Sequence, residues 1–326
     1  MKVYEIRAPR GIECVVRAER NEPTPGHGQV LVRMRAASLN YRDLAVARGD
    51  YGRGVPSPVI PLSDGAGEVV ALGQGVSRWK VGERVAGIFM QGWLAGRIDE
   101  GKAKTALGGA IDGMLAEYRA LSEEGLVRVP EHLSFEEAAA LPCAAVTAWH
   151  ALQGLAAGET VLIQGTGGVS IFALQFAKLA GARVVATSSS DQKLERVRRI
   201  GADLLINYKT TPDWEKPAQG VDRVIEVGGA GTLGKSLRAV RMGGRVALIG
   251  VLTGKGEVDP QPVLMKSIRL QGIYVGSREM FEEMNRAISN AKMRPVVDRV
   301  FPFEEAQAAY RHLESGAHFG KVIIGF

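Results

Sequence analysis

Cysteine is scarce in this chain: Cys14 and Cys143 are the only two in 326 residues. Two cannot build a disulfide framework or a multi-cysteine metal site, and that usage points to a reducing cytoplasm. Long apolar runs are missing as well. None approaches the roughly 20 residues that a membrane-spanning helix needs, so no membrane partner is expected. Aromatic residues make up only 6% and do not cluster, which leaves no stacking platform for single-stranded nucleic acid. No leader segment is expected, because Met1–Ile6 already alternates like a strand. The net charge of +6 raises the question of a polyanion, yet Lys and Arg are scattered. The densest group, Arg196, Arg198 and Arg199, falls on a helical pattern and reads as a solvated face. A basic protein that takes an anionic cofactor and a small-molecule substrate accounts for the same balance.

What is present describes an ordinary globular protein, 46% hydrophobic and 23% charged, long enough for two domains with separate cores. The first stretch reads as β: Gln29–Arg35 alternates at period two and Gly67–Gly73 nearly does. Pro23, Pro25, Pro56, Pro58 and Pro61 break it into the short strands of a small barrel-like unit. Gln91–Asp112 is Gly-rich and reads as a long surface loop. From Ser134, with Glu137 completing a capping box, the period changes. Strands at Thr160–Gln164, Ala182–Thr187, Asp222–Val227 and Gly244–Gly250 then alternate with helices at Ser170–Leu179, Asp191–Ile200 and Leu233–Arg241. That alternation predicts an α/β fold with a doubly wound parallel sheet. After Ile273 come a helix (Met280–Ala291), a strand near Val296–Val300, a helix (Phe303–Glu314) and a last strand, Lys321–Ile324.

Gly165, Thr166, Gly167, Gly168, Val169 and Ser170 follow a buried strand and open a helix. So tight a turn needs glycine, and a pyrophosphate must approach amides at a helix N-terminus. The third glycine of the dinucleotide fingerprint is replaced by Ser170, small enough for close helix–strand packing. An NAD-preferring enzyme would carry an acid at the tip of the second strand. Here the tip is Ser188, Ser189 and Ser190; Asp191 lies beyond it and reads as a helix cap. Hydroxyls there, with Lys193 a turn later, suit a 2′-phosphate better than a bare ribose, so NADP(H) is the expected cofactor. Lys193 by itself would read as a solvated helix residue.

In this order the motifs resemble the medium-chain dehydrogenase/reductase superfamily, and the resemblance covers nearly the whole chain. PGHGQVLVRMRAASLNYRDL (25–44), VIPLSDGAGEVVALG (59–73) and WKVGERVAG (79–87) resemble its GroES-like alcohol dehydrogenase domain. GETVLIQGTGGVSIFALQFAKLAGARVVATSSS and IGADLLINY resemble its Rossmann domain. The resemblance implies a GroES-like catalytic domain from 1–125 and 275–326, and a Rossmann dinucleotide-binding domain at 126–274. Zinc-dependent members place Cys at the position of Asn40 and His-Glu at Ser63 and Asp64; a second Cys coincides with Cys143. One thiolate alone cannot hold zinc in its usual four-coordinate site. The serine of the alcohol proton relay is replaced by Arg42, and the loop lacks the clustered cysteines of a structural zinc. No zinc is therefore expected, and Cys143 is expected to be a small buried hydrophobe.

What remains resembles the zinc-free branch, quinone oxidoreductases and enoyl reductases. Asn40 and Asp43 form its N-x-x-D motif, and Tyr51 falls where its enoyl reductases keep a proton-donating tyrosine; the next residue, Gly52, departs from their usual Tyr-Pro. Thr147 matches a threonine near the nicotinamide, Tyr208 one lying against the adenosine 2′-phosphate, and Gly250 and Val251 complete the expected cofactor contacts. The resemblance implies a zinc-independent NADP(H)-dependent oxidoreductase acting on an activated C=C or a quinone. A zinc-free alcohol or aldehyde oxidoreductase and a non-enzymatic NADPH-binding sensor are the alternatives. It also implies a homodimer, formed through Gly244–Leu252 and an edge strand at Ile268–Val275.

Overall fold

The computed structural model describes residues 1–8, 10–51 and 55–326, so Gly52 lies outside the described residues. Two compact units divide the chain: Met1–Val146 with Gly276–Phe326, and Thr147–Val275.

In the first unit, β1 (Lys2–Ile6) and β2 (Val15–Glu19) pair antiparallel. The main sheet uses β3 (Gln29–Leu39), β4 (Asp64–Leu72), β5 (Arg84–Gly87), β6 (Tyr118–Ser122) and β7 (Leu126–Arg128). The period-two pattern of β3 sends Val30, Val32 and Met34 into one apolar cluster with Val69, Val85 and Leu126. Between β3 and β4 lies α1 (Tyr41–Arg48), an eight-residue helix whose strand-like flanks concealed it in the sequence. Its capping box joins Asn40 to Asp43, and Gly49, at φ 81°, ends it in the left-handed conformation. The Gly-rich loop contains a short helix, α2 (Glu100–Ala103), capped by Asp99. The expected Ser134–Glu137 capping box opens α3 (Phe135–Ala139). A π-helical turn (Leu141–Ala145) leads into α4 (Val146–Ala151).

The second unit holds β8 (Thr160–Gln164), α5 (Gly168–Leu179), β9 (Arg183–Ser188), α6 (Asp191–Ile200) and β10 (Leu204–Asn207). Then come β11 (Val221–Glu226), α7 (Ala230–Ala239), β12 (Val240–Leu248), α8 (Gln261–Met265) and β13 (Arg269–Gly272). All six strands are parallel, in the order β10-β9-β8-β11-β12-β13. Val161, Leu162, Ile163, Val224 and Ile225 are fully buried, as both-face coverage of a parallel sheet requires. Strand order reverses between β8 and β11, and in such sheets ligands bind outside the strand ends at that switch point.

The chain then returns to the first unit with α9 (Arg278–Ala291), β14 (Val297–Pro302), α10 (Ala306–Glu314) and β15 (Lys321–Gly325). The last strand runs antiparallel to β3, with Val322 opposite Leu39. The sequence reading assigned 126–146 to the dinucleotide domain, but this stretch belongs to the first unit. β7 is hydrogen-bonded to β5, and the Cys143 N–H donates to Asp64, so the change to helical periodicity precedes the change of unit. Among the described residues no helix is long and apolar enough to cross a membrane.

Candidate functional site

At the switch point of the second unit, Gly165 takes φ 70° and donates its N–H to Thr187 O at 2.8 Å, turning the chain sharply out of β8. Thr166 and Gly167 lead into α5, whose first residues are Gly168 and Val169, two residues earlier than the apolar period suggests. The first-turn N–H groups of a helix lack intrahelical partners and form an anion-binding end. Ser170, in place of the third glycine, is buried, and its Oγ donates to Gln164 O at 2.6 Å. The hydroxyl thus ties helix to strand where glycine would merely allow close contact.

Beside this turn lies a group that the sequence reading missed. Glu226, fully buried at the end of β11, accepts from the N–H groups of Gly228 (2.8 Å) and Gly229 (3.0 Å). It also accepts from Thr232 Oγ1 (2.6 Å), Gln164 Nε2 (2.8 Å) and the Ser236 hydroxyl. Gln164 Oε1 accepts from Val227 N at 3.2 Å. These bonds fix the loop after β11. Gly250 follows β12 so closely that a Cβ there would lie 1.9 Å from Val227 O. Val251 is exposed. An acid ending an apolar strand just before two glycines was the available signal for Glu226.

The parallel register sets Ser188 opposite Asn207, and Tyr208 N donates to Ser188 O at 3.0 Å. Ser188, Ser189 and Tyr208 therefore meet at the tips of β9 and β10. The cap of α6 is Ser190, whose Oγ accepts from Lys193 N at 3.3 Å, rather than Asp191. Asp191 is the first helical residue and accepts from Asn207 Nδ2 at 2.7 Å. The backbone bond brings Lys193 to the same corner. Thr147 is buried at the start of this unit.

The first unit gathers a different set of side chains. Asp43 Oδ2 accepts from Asn40 N at 2.7 Å, and its other oxygen faces Arg42 Nη1 at 3.3 Å. Arg42 Nη1 also donates to Leu107 O (2.9 Å), and the guanidinium lies 4.6 Å from the Tyr51 ring centre and 4.9 Å from that of Phe89. Burial raises the Asp43 carboxyl to about 6, against the opposing pull of Arg42 and the Asn40 N–H. Asn40, Arg42, Asp43 and Tyr51 therefore do come together.

Next to them, Asn40 Nδ2 donates to Ser63 Oγ (3.4 Å), and Ser63 Oγ donates to Asp64 Oδ1 (2.7 Å). Asp64 Oδ2 accepts from Cys143 N at 3.1 Å. Lys321, a second residue the sequence reading missed, donates from Nζ to Leu39 O and to Asn40 Oδ1, both at 2.6 Å. Its Nζ stands 3.9 Å from Asp64 Oδ2. Nothing local marked it, because a lysine opening an apolar strand reads as a solvated end. Burial raises the Asp64 carboxyl, opposed by Lys321, Ser63, Asn40 and the Cys143 N–H. Burial, reinforced by Asp64, pushes the Cys143 thiol well up. Cys143 is half-buried as a residue rather than fully buried as expected.

The family described as "Zinc-binding dehydrogenase" matches residues 168–290, and "Alcohol dehydrogenase GroES-like domain" matches residues 26–131. A zinc-type alcohol dehydrogenase-like protein of Schizosaccharomyces pombe is 44% identical over 313 residues, covering 91% of this chain and 90% of the relative. An NADPH-dependent alkenal/one oxidoreductase of Arabidopsis thaliana, described as chloroplastic, is 32% identical, covering 99% of this chain and 79% of the relative. The crystal structure of a putative alcohol dehydrogenase from Sinorhizobium meliloti 1021 superposes with a TM-score of 0.92 at 40% identity, covering 100% of this chain and 99% of that one.

Zinc, which two of those descriptions imply, does not fit the residues here. Its protein sites are four-coordinate and built from thiolate, imidazole and carboxylate ligands. The corner offers a single thiol beside the Asn40 amide and the Ser63 hydroxyl, and both Asp64 oxygens already accept hydrogen bonds. Among the described residues no group of three or more His, Cys, Asp or Glu could hold a metal ion.

Proposed function

Because this chain belongs to the medium-chain dehydrogenase/reductase superfamily and is an oxidoreductase of that type, we propose that it reduces an activated C=C bond or a quinone with NADPH, without zinc. The observation that carries this reading is the hydrogen-bonded set Asn40–Ser63–Asp64–Lys321, which leaves no ligand set for a metal that could polarise an alcohol or aldehyde oxygen. An activated alkene needs less: hydride on the β carbon and a proton on the α carbon. NADPH supplies the hydride when bound. Tyr51, its ring against the Arg42 guanidinium, is the candidate proton donor, and Asn40 and Asp43 shape the wall beside it. The Arabidopsis relative's name, an NADPH-dependent alkenal/one oxidoreductase, supports the same chemistry.

On this reading the turn Gly165–Val169 cradles the pyrophosphate, with Thr147, Gly250 and Val251 along the rest of the cofactor. Ser188, Ser189, Lys193 and Tyr208 surround the 2′-phosphate. A carboxylate at Ser188 would repel that phosphate and accept from a bare ribose. Charge-assisted hydrogen bonds contribute roughly 1.5–3 kcal/mol each, about ten- to hundred-fold in affinity. Fluorescence titration should therefore show NADPH binding more tightly than NADH. Lys193→Ala should weaken NADPH selectively, and Ser188→Asp should reverse the preference. Equal wild-type affinities, or a uniform loss in Lys193→Ala, would sink the NADPH assignment. NADPH consumption against enones, quinones and aldehydes tests the reaction. Turnover confined to aldehydes would reject the C=C or quinone reading, and cofactor binding without turnover would favour a sensor.

Association into a homodimer completes the reading. The edge strand β13 ends the parallel sheet, and Leu264, Met265, Leu270 and Tyr274 are exposed around it, an apolar margin suited to a second copy of the same edge. Light scattering at micromolar concentration should give twice the chain mass; a monomer rejects it. The two free cysteines fit a cytoplasmic location.

A further inference from the structure

Arg42 uses only part of its hydrogen-bonding capacity. Nη1 donates to Leu107 O and faces Asp43, but among the described residues no acceptor meets Nε or Nη2, and both atoms are closed to solvent. A guanidinium is a fork of N–H donors with no acceptor of its own, so two unmet nitrogens on a side chain only 8% exposed call for an explanation. What lies beside them is aromatic. The guanidinium sits over the Tyr51 and Phe89 rings, whose π faces attract a cation. Nη2 also packs on Gly109 so closely that a Cβ there would lie 2.4 Å from it and 3.8 Å from Tyr51 Cε1.

The local fold makes this meeting. Arg42 stands in the first turn of α1, which the Asn40–Asp43 capping box anchors. At the other end Gly49 turns the chain, Asp50 N donates to Ala45 O at 2.9 Å, and Tyr51 returns to the guanidinium. Burial opposes the charge on Arg42, and Asp43 and Tyr51 more than offset it.

We propose that Arg42 holds the Tyr51 ring in place for proton donation and stabilises the phenolate that donation leaves, which rests on the reading of Tyr51 as the donor. Once hydride has reached the β carbon, the Tyr51 O–H bond breaks and its proton forms a C–H bond at the α carbon. The electron pair of the O–H bond stays on the phenolate, and water restores the proton. A phenolate spreads its charge into the ring, so a guanidinium over that ring attracts the product of the step more than the neutral phenol. Only an interaction that strengthens along the step lowers its barrier. Phe89, Leu107 O and Gly109 fix the guanidinium from other directions. Arg42 is a positioning residue, since it acts through Tyr51.

The test uses the full chain and two kinds of change at the guanidinium. Arg42→Met removes the charge. Gly109→Ala keeps the charge beside Asp43 but forces Nη2 to move, and the backbone at 109 accepts alanine without strain. With NADPH and methyl vinyl ketone, each should lower kcat by about tenfold or more while KM changes by less than about twofold. Arg42→Lys should recover part of the loss seen in Arg42→Met. In a Tyr51→Phe background, Arg42→Met and Gly109→Ala should change kcat by less than about twofold. Equal losses with and without Tyr51 overturn the proposal and leave Tyr51 as the donor. An undiminished kcat in Tyr51→Phe itself rejects Tyr51 as the donor, and the proposal with it. A second arm needs no turnover: fluorine NMR of the chain labelled with fluorotyrosine, in which Tyr51 is the resonance that Tyr51→Phe removes. Arg42→Met and Gly109→Ala should each move that resonance toward the position of free fluorotyrosine. A Tyr51 resonance that stays in place in both overturns the proposal, and should Arg42→Met fail to fold, Gly109→Ala decides both arms.

Discussion

In the second unit, the donors that the fully buried Glu226 meets among the described residues are neutral: two backbone N–H groups, two hydroxyls and an amide. In the first unit, Asp43 and Asp64 are equally buried but face cations, Arg42 and Lys321. The two solutions do different work. Neutral backbone donors make the carboxylate a template for a loop, so Glu226 shapes the turn after β11 where the sheet order reverses. Ion pairs draw on side chains from distant segments, so Asp43 and Asp64 tie together α1, β3, β4 and β15. A site built the first way depends on glycine and backbone geometry; one built the second way depends on charge balance.

Three substitutions would break or sharpen that contrast. The largest effect is expected for Glu226→Ala, which leaves several buried donors unsatisfied at roughly 1–3 kcal/mol each. Urea unfolding should show a loss on the order of 4 kcal/mol, and a loss below about 1 kcal/mol would mean that the loop does not need its template.

The next effect separates the units by pH. The Asp43 pKa lies above its ordinary value of 3.8, at about 6, so the folded state holds this proton more tightly than the unfolded chain. Its contribution is favourable below about pH 4 and is lost as pH rises toward 6, where the folded carboxyl ionises against burial. Stability of wild type relative to Asp43→Asn should therefore fall between pH 4 and 6. At about 1.4 kcal/mol per pKa unit the change is about 3 kcal/mol. A flat difference across that range would show that Arg42 compensates Asp43 fully.

The smallest effect is Ser170→Ala. Losing one buried hydroxyl bond to Gln164 O should cost about 1 kcal/mol in urea unfolding. A neutral result would show that the serine is merely a small residue at the glycine position.

Much of the second unit was legible because its signals are local. Alternating apolar strands and amphipathic helices announce the parallel sheet, and Gly165 must be glycine because its φ of 70° strains other residues. The Ser188 tip could be read in the same way, as the end of a strand. Glu226 was visible as a residue but not as a site, because its five donors come from positions 164 to 236. In the first unit α1 was missed, since eight residues between strands leave too little periodicity to recognise. The 126–146 stretch was misassigned because helical periodicity shows what an element is, not which core it packs into.

The sequence by itself determined the class of each half, the glycine turn between β8 and α5, the capping box at Ser134, and the lack of all but one of the cysteine and histidine residues at the family's metal positions. Each depends on residues a few positions apart, where backbone propensity and side-chain reach operate without the rest of the chain. Only the tertiary structure decided that Lys321 meets Asn40 and Asp64. That meeting depends on the register of β15 against β3 and of β3 against β4, and the Lys321–Asn40 bond it permits joins residues 281 positions apart. Register is set by burying one whole face of a sheet, and a lysine's place in it cannot be read from its neighbours in the chain.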